Sequence, residues 1–148
     1  MNVRALAVVV AAAVLPFGPA PARAASADAV VLSGTAAYAP PIGLLPEVHD
    51  VALSASATVT GTNGVAVTYP CQFAGTTIES TAGGDGVFAG FCGPWAVPYC
   101  FYARAGAHFT LVCNGALVDE GVFVGEWAPS GVLPTASASV AALGEVVF

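Results

Sequence analysis

Two histidines, nine carboxylates and four cysteines are the residues of this 148-residue chain able to move protons, hold a metal or form covalent bonds. His49-Asp50 is the one adjacent imidazole and carboxylate. In an extended segment successive side chains point to opposite faces, so this adjacency does not build an orienting pair. It reads as the polar start of a strand. His108 stands between Ala107 and Phe109 and is expected to face solvent, opposite an apolar row. No serine sits in a Gly-x-Ser-x-Gly elbow. Glycoside hydrolysis needs two carboxyls across a cleft, and Glu79, Asp85, Asp119, Glu120 and Glu126 offer many combinations with no spacing that selects one. Asp119-Glu120 reads as an exposed turn or bulge. The spacing of a calcium-binding EF-hand loop is absent. The sequence therefore predicts no catalytic residues, no metal site and no cofactor.

The cysteines predict disulfides. Their number is even, the expected compartment is oxidising, and the spacing lacks the close Cys-x-x-Cys pairs of zinc sites. Three connectivities are possible for four cysteines. Cys92 and Cys100 bracket the segment from Gly93 to Tyr99, which favours them as partners at the base of one loop and leaves Cys71 with Cys113. Pairing Cys71 with Cys92 and Cys100 with Cys113 is the alternative.

Binding chemistry points to aromatic residues. Phe88, Phe91, Trp95, Tyr99, Phe101 and Tyr102 crowd around that loop, and in an all-β protein most such residues fill the core. Trp95 follows Gly93-Pro94 at a loop tip, where a large apolar ring is preorganised for a partner. Trp127, beside Ala128-Pro129-Ser130-Gly131, is expected in a second exposed loop. The ligand or partner candidates are thus Trp95, Tyr99, Tyr102 and Trp127, suited to stacking on a sugar ring or anchoring in a protein pocket.

The elements that must position these residues are strands. From Val51 the chain alternates Val51, Leu53, Ala55, Ala57, Val59 with Ala52, Ser54, Ser56, Thr58, Thr60, the pattern of a half-buried strand. Asn63-Gly64 supplies a hairpin turn, and Val65, Val67, Tyr69, Cys71 and Phe73 continue the alternation. Similar runs follow at 30–38, 76–82, 87–92, 97–104, 108–113, 116–125 and 137–148, separated by turns such as Gly83-Gly84-Asp85-Gly86, Ala105-Gly106 and Asn114-Gly115. About nine short strands predict an all-β antiparallel sandwich or barrel with two disulfides. Pro40, Pro41 and Pro46 predict a long surface crossover over Ala39–Glu47.

Met1 to Ala24 reads as a signal peptide: Arg4 in the n-region, an apolar run from Ala5 to Phe17, and Ala22-Arg23-Ala24 as a small-x-small cleavage site. The run is too short for a membrane span. Residues 25–148 are then a single secreted domain with no membrane anchor after cleavage. Losing Arg4 and Arg23 moves the formal charge from −6 by two units, to −8, and the chain holds no lysine. Nucleic acid and anionic lipid need clustered cations, so neither is an expected partner. Acidity of this kind confers solubility, and it also attracts cationic ligands.

The run Cys71-Gln72-Phe73-Ala74-Gly75-Thr76, Gly84-x-Gly86, Gly90-Phe91-Cys92, and Cys100-Phe101-Tyr102-Ala103-Arg104-Ala105-Gly106 up to Cys113 resembles small secreted β-proteins of unknown function from high-GC Gram-positive (actinobacterial) bacteria. The Ala, Gly and Val-rich composition and the leader agree. The resemblance brings no activity with it. Arg104 reads as a hairpin-end residue, with pairing to an acidic side chain as its other role. The expected function is a secreted, non-catalytic β-module in binding or at the cell envelope, with an extracellular protein or small molecule as partner. A carrier would hold a small apolar ligand between sheets, and a protease inhibitor or other protein-binding module would act through the Trp95 loop. A carrier predicts an internal pocket lined by the alternating apolar rows.

Overall fold

The computed structural model describes residues 27–114 and 120–147. The expected leader, 1–24, and the Asp119 half of the Asp119-Glu120 turn lie outside the described residues. Eight strands run as β1 (Ala27–Ile42), β2 (Glu47–Thr60), β3 (Ala66–Ser80), β4 (Gly83–Cys92), β5 (Trp95–Ala105), β6 (His108–Asn114), β7 (Glu120–Pro129) and β8 (Thr135–Val147). Each pairs antiparallel with the next, and β8 returns to pair with β1, closing a barrel. The choice between sandwich and barrel is thus decided.

Two of the expected runs merge. The expected runs at 65–73 and 76–82 are joined in the single strand β3, Ala66–Ser80, because Ala74 and Gly75 continue the ladder opposite Ala52 and Val51 of β2. The expected crossover at 39–47 is corrected as well. Pro40 and Pro41 remain inside β1, and β1 joins β2 through the four residues 43–46. Proline is tolerated there because the β1–β2 ladder ends at Ala39, so no donor is lost beyond it.

Alternation decides which side chains enter the barrel. Val30, Leu32, Ala36 and Tyr38 of β1 face inward, as do Val51, Leu53, Ala55 and Ala57 of β2, with Phe73, Phe88, Tyr102, Phe109, Leu111, Phe123, Trp127 and Val140 completing the core. Small residues make room for the rings. A Cβ at Gly75 would lie 1.9 Å from the Val87 carbonyl oxygen and against the Phe88 ring, and one at Gly125 would meet Phe109. The outside mixes Ser, Thr and Ala with exposed apolar residues, among them Val31, Val48 and Ile78 on β1 to β3 and Phe101, Val124 and Leu143 on β5, β7 and β8.

The disulfides join Cys71 to Cys92 and Cys100 to Cys113, the alternative connectivity and not the favoured Cys92–Cys100 with Cys71–Cys113. Register explains the correction. The β4–β5 turn is only Gly93-Pro94, so Cys92 sits opposite Trp95 and Cys100 falls opposite Phe88. Strands β3 and β6 are not neighbours, which keeps Cys71 from Cys113. The observed partners face one another across the β3–β4 and β5–β6 ladders. Two disulfides are compatible with an extracellular protein.

Candidate functional site: an open end and a sealed end

The barrel has two unlike ends. At the end formed by Ile42, the 81–82 turn and the start of β6, the interior is filled by a polar cluster. Arg104 donates through Nε (3.1 Å) and Nη2 (2.6 Å) to Glu79 Oε2, and to the carbonyls of Ser80 and Gly106. Both side chains are fully buried. The guanidinium carbon lies 3.9 Å from the centroid of the Trp127 ring, whose Nε1 donates to the Tyr38 hydroxyl at 3.0 Å. Cation–π contact, charge-assisted hydrogen bonds and ring packing thus offset the desolvation of one ion pair.

His49 belongs to the same end. It is fully buried rather than a solvated strand start, with Nδ1 donating to the Pro40 carbonyl at 2.6 Å and Nε2 3.2 Å from the Glu79 carbonyl. The alternation argument holds for its neighbour, since Asp50 points outward. Among the described residues the Tyr102 hydroxyl, Glu79 Oε1 and Thr77 Oγ1 are buried without a well-formed hydrogen bond, although the Tyr102 hydroxyl lies near both Glu79 and Tyr38. Burial pushes the Tyr38 phenol up to about 12, with the nearby Glu79 charge adding to the rise. Burial raises the Tyr102 phenol further, again with Tyr38 and Glu79 adding to it. The cluster is buried and fills this end of the barrel.

At the opposite end the barrel is open and apolar among the described residues. A cavity of about 80 Å³ is lined by Val30, Val59, Tyr69, Trp95, Phe123 and Val146 among others, and its exposed wall is wholly apolar. The Trp95 and Tyr69 rings meet edge to face, 4.5 Å between centroids, at its rim. Gly93 makes that possible. It takes φ +56°, and a Cβ there would lie 2.7 Å from Tyr69 Cδ1. The Cys71–Cys92 bridge adjoins the same turn, with Gly93 N–H donating to the Pro70 carbonyl at 2.8 Å.

Of the four candidate aromatics, the structure brings only Trp95 to this cavity. Tyr99 lies 41% exposed on the outer face of β5, edge-on to Phe101. Tyr102 and Trp127 are corrected: both are buried inside the barrel, and Trp127 lies within β7 and not in an exposed loop. Alternation with one phase change accounts for the division: Trp95 and Val97 turn inward, but the register shift opposite Phe88 and Gly90 resets the phase, so that Tyr99 and Phe101 face out while Cys100 and Tyr102 face in. Tyr69 is the residue that sequence reasoning missed. Its signal was present in the inward phase it shares with Cys71 and Phe73.

His108 is exposed, as its position predicted, with Nδ1 2.7 Å from Glu126 Oε1 across the β6–β7 ladder. Among the described residues no three His, Cys, Asp or Glu side chains gather to hold a metal ion. No family model, curated protein or solved structure matches this chain. The class that the described residues define is a closed, eight-stranded antiparallel barrel with two cross-strand disulfides and an apolar cavity at one end.

Proposed function

We propose that the protein is a secreted, non-catalytic binding module that takes the end of a slim apolar ligand into the open end of its barrel, between Trp95 and Tyr69. The observation that carries this reading is the cavity itself, lined almost wholly by apolar residues, with Asn114 the polar exception, and rimmed by two rings in edge contact. Mouths of barrels are among the preferred places for small-molecule sites. Its size sets the ligand's shape. About 80 Å³ is well below the roughly 300–1,000 Å³ of sites that enclose a whole drug-sized ligand. It is about half of a dry ~150 Å³ cavity that admits benzene. A linear alkyl or isoprenoid tail enters such a space while the rest of the molecule stays outside.

The protein-binding alternative relied on Trp95 standing out from a loop. Its ring is instead half-buried against Tyr69, which supports the carrier-like reading over a protruding inhibitory loop. Native mass spectrometry of protein purified from its natural source without denaturation tests the proposal. Extra mass that leaves on unfolding, and is retained poorly by a Trp95→Ala variant, is the expected result. A bare polypeptide mass, together with no uptake of alkyl-chain probes, overturns it.

A further inference from the structure

The open end has a charge of its own. Asp28 lies on β1 in the inward phase, two residues before Val30, and its register partner on β8 is Val146. Val30 and Val146 both line the cavity, so Asp28 stands on the same face of the wall, one step nearer the solvent. The β2–β3 turn confirms its placement at the rim: a Cβ at Gly61 would sit 3.8 Å from Asp28 Oδ1.

No cationic side chain among the described residues answers it. Among the described residues Arg104 is the only Arg or Lys, and it is fully buried at the sealed end on Glu79. Glu145, opposite Ala29 and Val122 on the outside of the same end, adds a second carboxylate near the mouth. A ligand whose tail fills the cavity must leave its head group beside Asp28.

We propose that the ligand is a cationic amphiphile, an ammonium-type head on a slim apolar tail, with Asp28 as the counter-charge to the head. This rests on the tail-binding role of the cavity and adds the head-group chemistry to it. Three forces act together. The tail leaves water for an apolar wall. The head gains the Asp28 carboxylate at the rim, and the surplus negative charge of the molecule steers it inward. An anionic amphiphile such as a free fatty acid meets the same carboxylate as a repulsion. Such like-charge contacts are a common device of specificity.

The experiment compares three probes with one tail and different heads: decyltrimethylammonium, decyl maltoside and decyl sulfate, each titrated by calorimetry below its micelle concentration at low salt. Expected affinity falls from the cation to the neutral probe to the anion. The Asp28→Asn variant is expected to weaken the cation by about two- to five-fold, the range of an exposed ion pair. The same variant leaves the neutral probe unchanged, and Trp95→Ala weakens all three.

Failures separate cleanly. Equal binding of the three probes overturns the head-group inference and leaves the tail site standing. A cation preference that persists in Asp28→Asn overturns the role of Asp28. Binding of none of them overturns the tail site itself, and this inference with it.

Discussion

Arg104 and Glu79 are the costliest side chains in the barrel to bury, and they are the pair whose removal is most readily measured. Glu79→Gln leaves a guanidinium buried against a neutral partner, and the expected loss is about 3–5 kcal/mol in the free energy of urea unfolding. The double variant Glu79→Leu with Arg104→Met, which removes both charges, is expected to recover much of that loss. A double variant no better than the single one contradicts this account. The two buried tyrosines carry a pH prediction. Their phenols are raised in the folded state, Tyr38 to about 12 from an ordinary value of 10. A raised phenol contributes stability that is fully present below pH 10 and is lost as the pH rises toward the folded value. Unfolding midpoints should therefore fall between pH 10 and pH 12, with phenolate absorbance appearing together with loss of structure rather than before it. Tyr38→Phe should flatten part of that slope. From the sequence, an acidic partner for Arg104 was one of two readings, yet nothing along the chain singled out Glu79 from the eight other carboxylates. The pairing arises across 25 residues, from β3 and β5 aiming inward at the same end.

At the scale of elements, alternation was legible almost everywhere, because apolar and small polar residues separate cleanly by phase in β1, β2, β3 and β8. Strand ends were less so. Gly75 looked like punctuation between two strands, but it is a close-approach position inside one. Proline triplets looked like a crossover, but they sit where the ladder has already ended. The disulfides were legible as a pair of bonds and not as a pattern, since connectivity depends on a two-residue turn and a register shift between Phe88 and Gly90 that no residue type announces. Non-reducing peptide mapping should recover Cys71 with Cys92 and Cys100 with Cys113. Replacing Cys100 and Cys113 by serine opens a bridge spanning 13 residues, and a loop of that size is expected to be worth about 3 kcal/mol. The Gly93 turn gives a sharper test of the open end. Gly93→Ala forces a side chain into a left-handed conformation at a cost of roughly 1–2 kcal/mol, and it drives Cβ against Tyr69. The expected result is a modest loss of stability with a clear change in Trp95 emission. An unchanged spectrum would mean that the turn does not hold the rings together.

For the whole molecule, the distribution of charge sets the response to salt. Among the described residues the single Arg is buried, lysine is absent, and Asp28, Glu47, Asp50, Asp85, Glu126 and Glu145 are distributed over the surface with only His108 beside one of them. Most proteins hold surface ion pairs that salt weakens, so screening acts on them in two directions. Here the attractive part is nearly confined to Arg104 and Glu79, and a pair buried to that depth is screened far less than exposed charges. Screening acts chiefly on repulsion between carboxylates, which destabilises the compact state. Raising sodium chloride from about 0.01 M to 1 M shortens the Debye length from roughly 30 Å to 3 Å. The thermal midpoint should rise across that range and level off once neighbouring carboxylates no longer sense each other. The same titration should erode the preference for a cationic probe while leaving uptake of a neutral one intact, because the apolar contact does not depend on screening. A midpoint that falls with salt would mean that attractive surface contacts, and not self-repulsion, dominate the electrostatics of the fold.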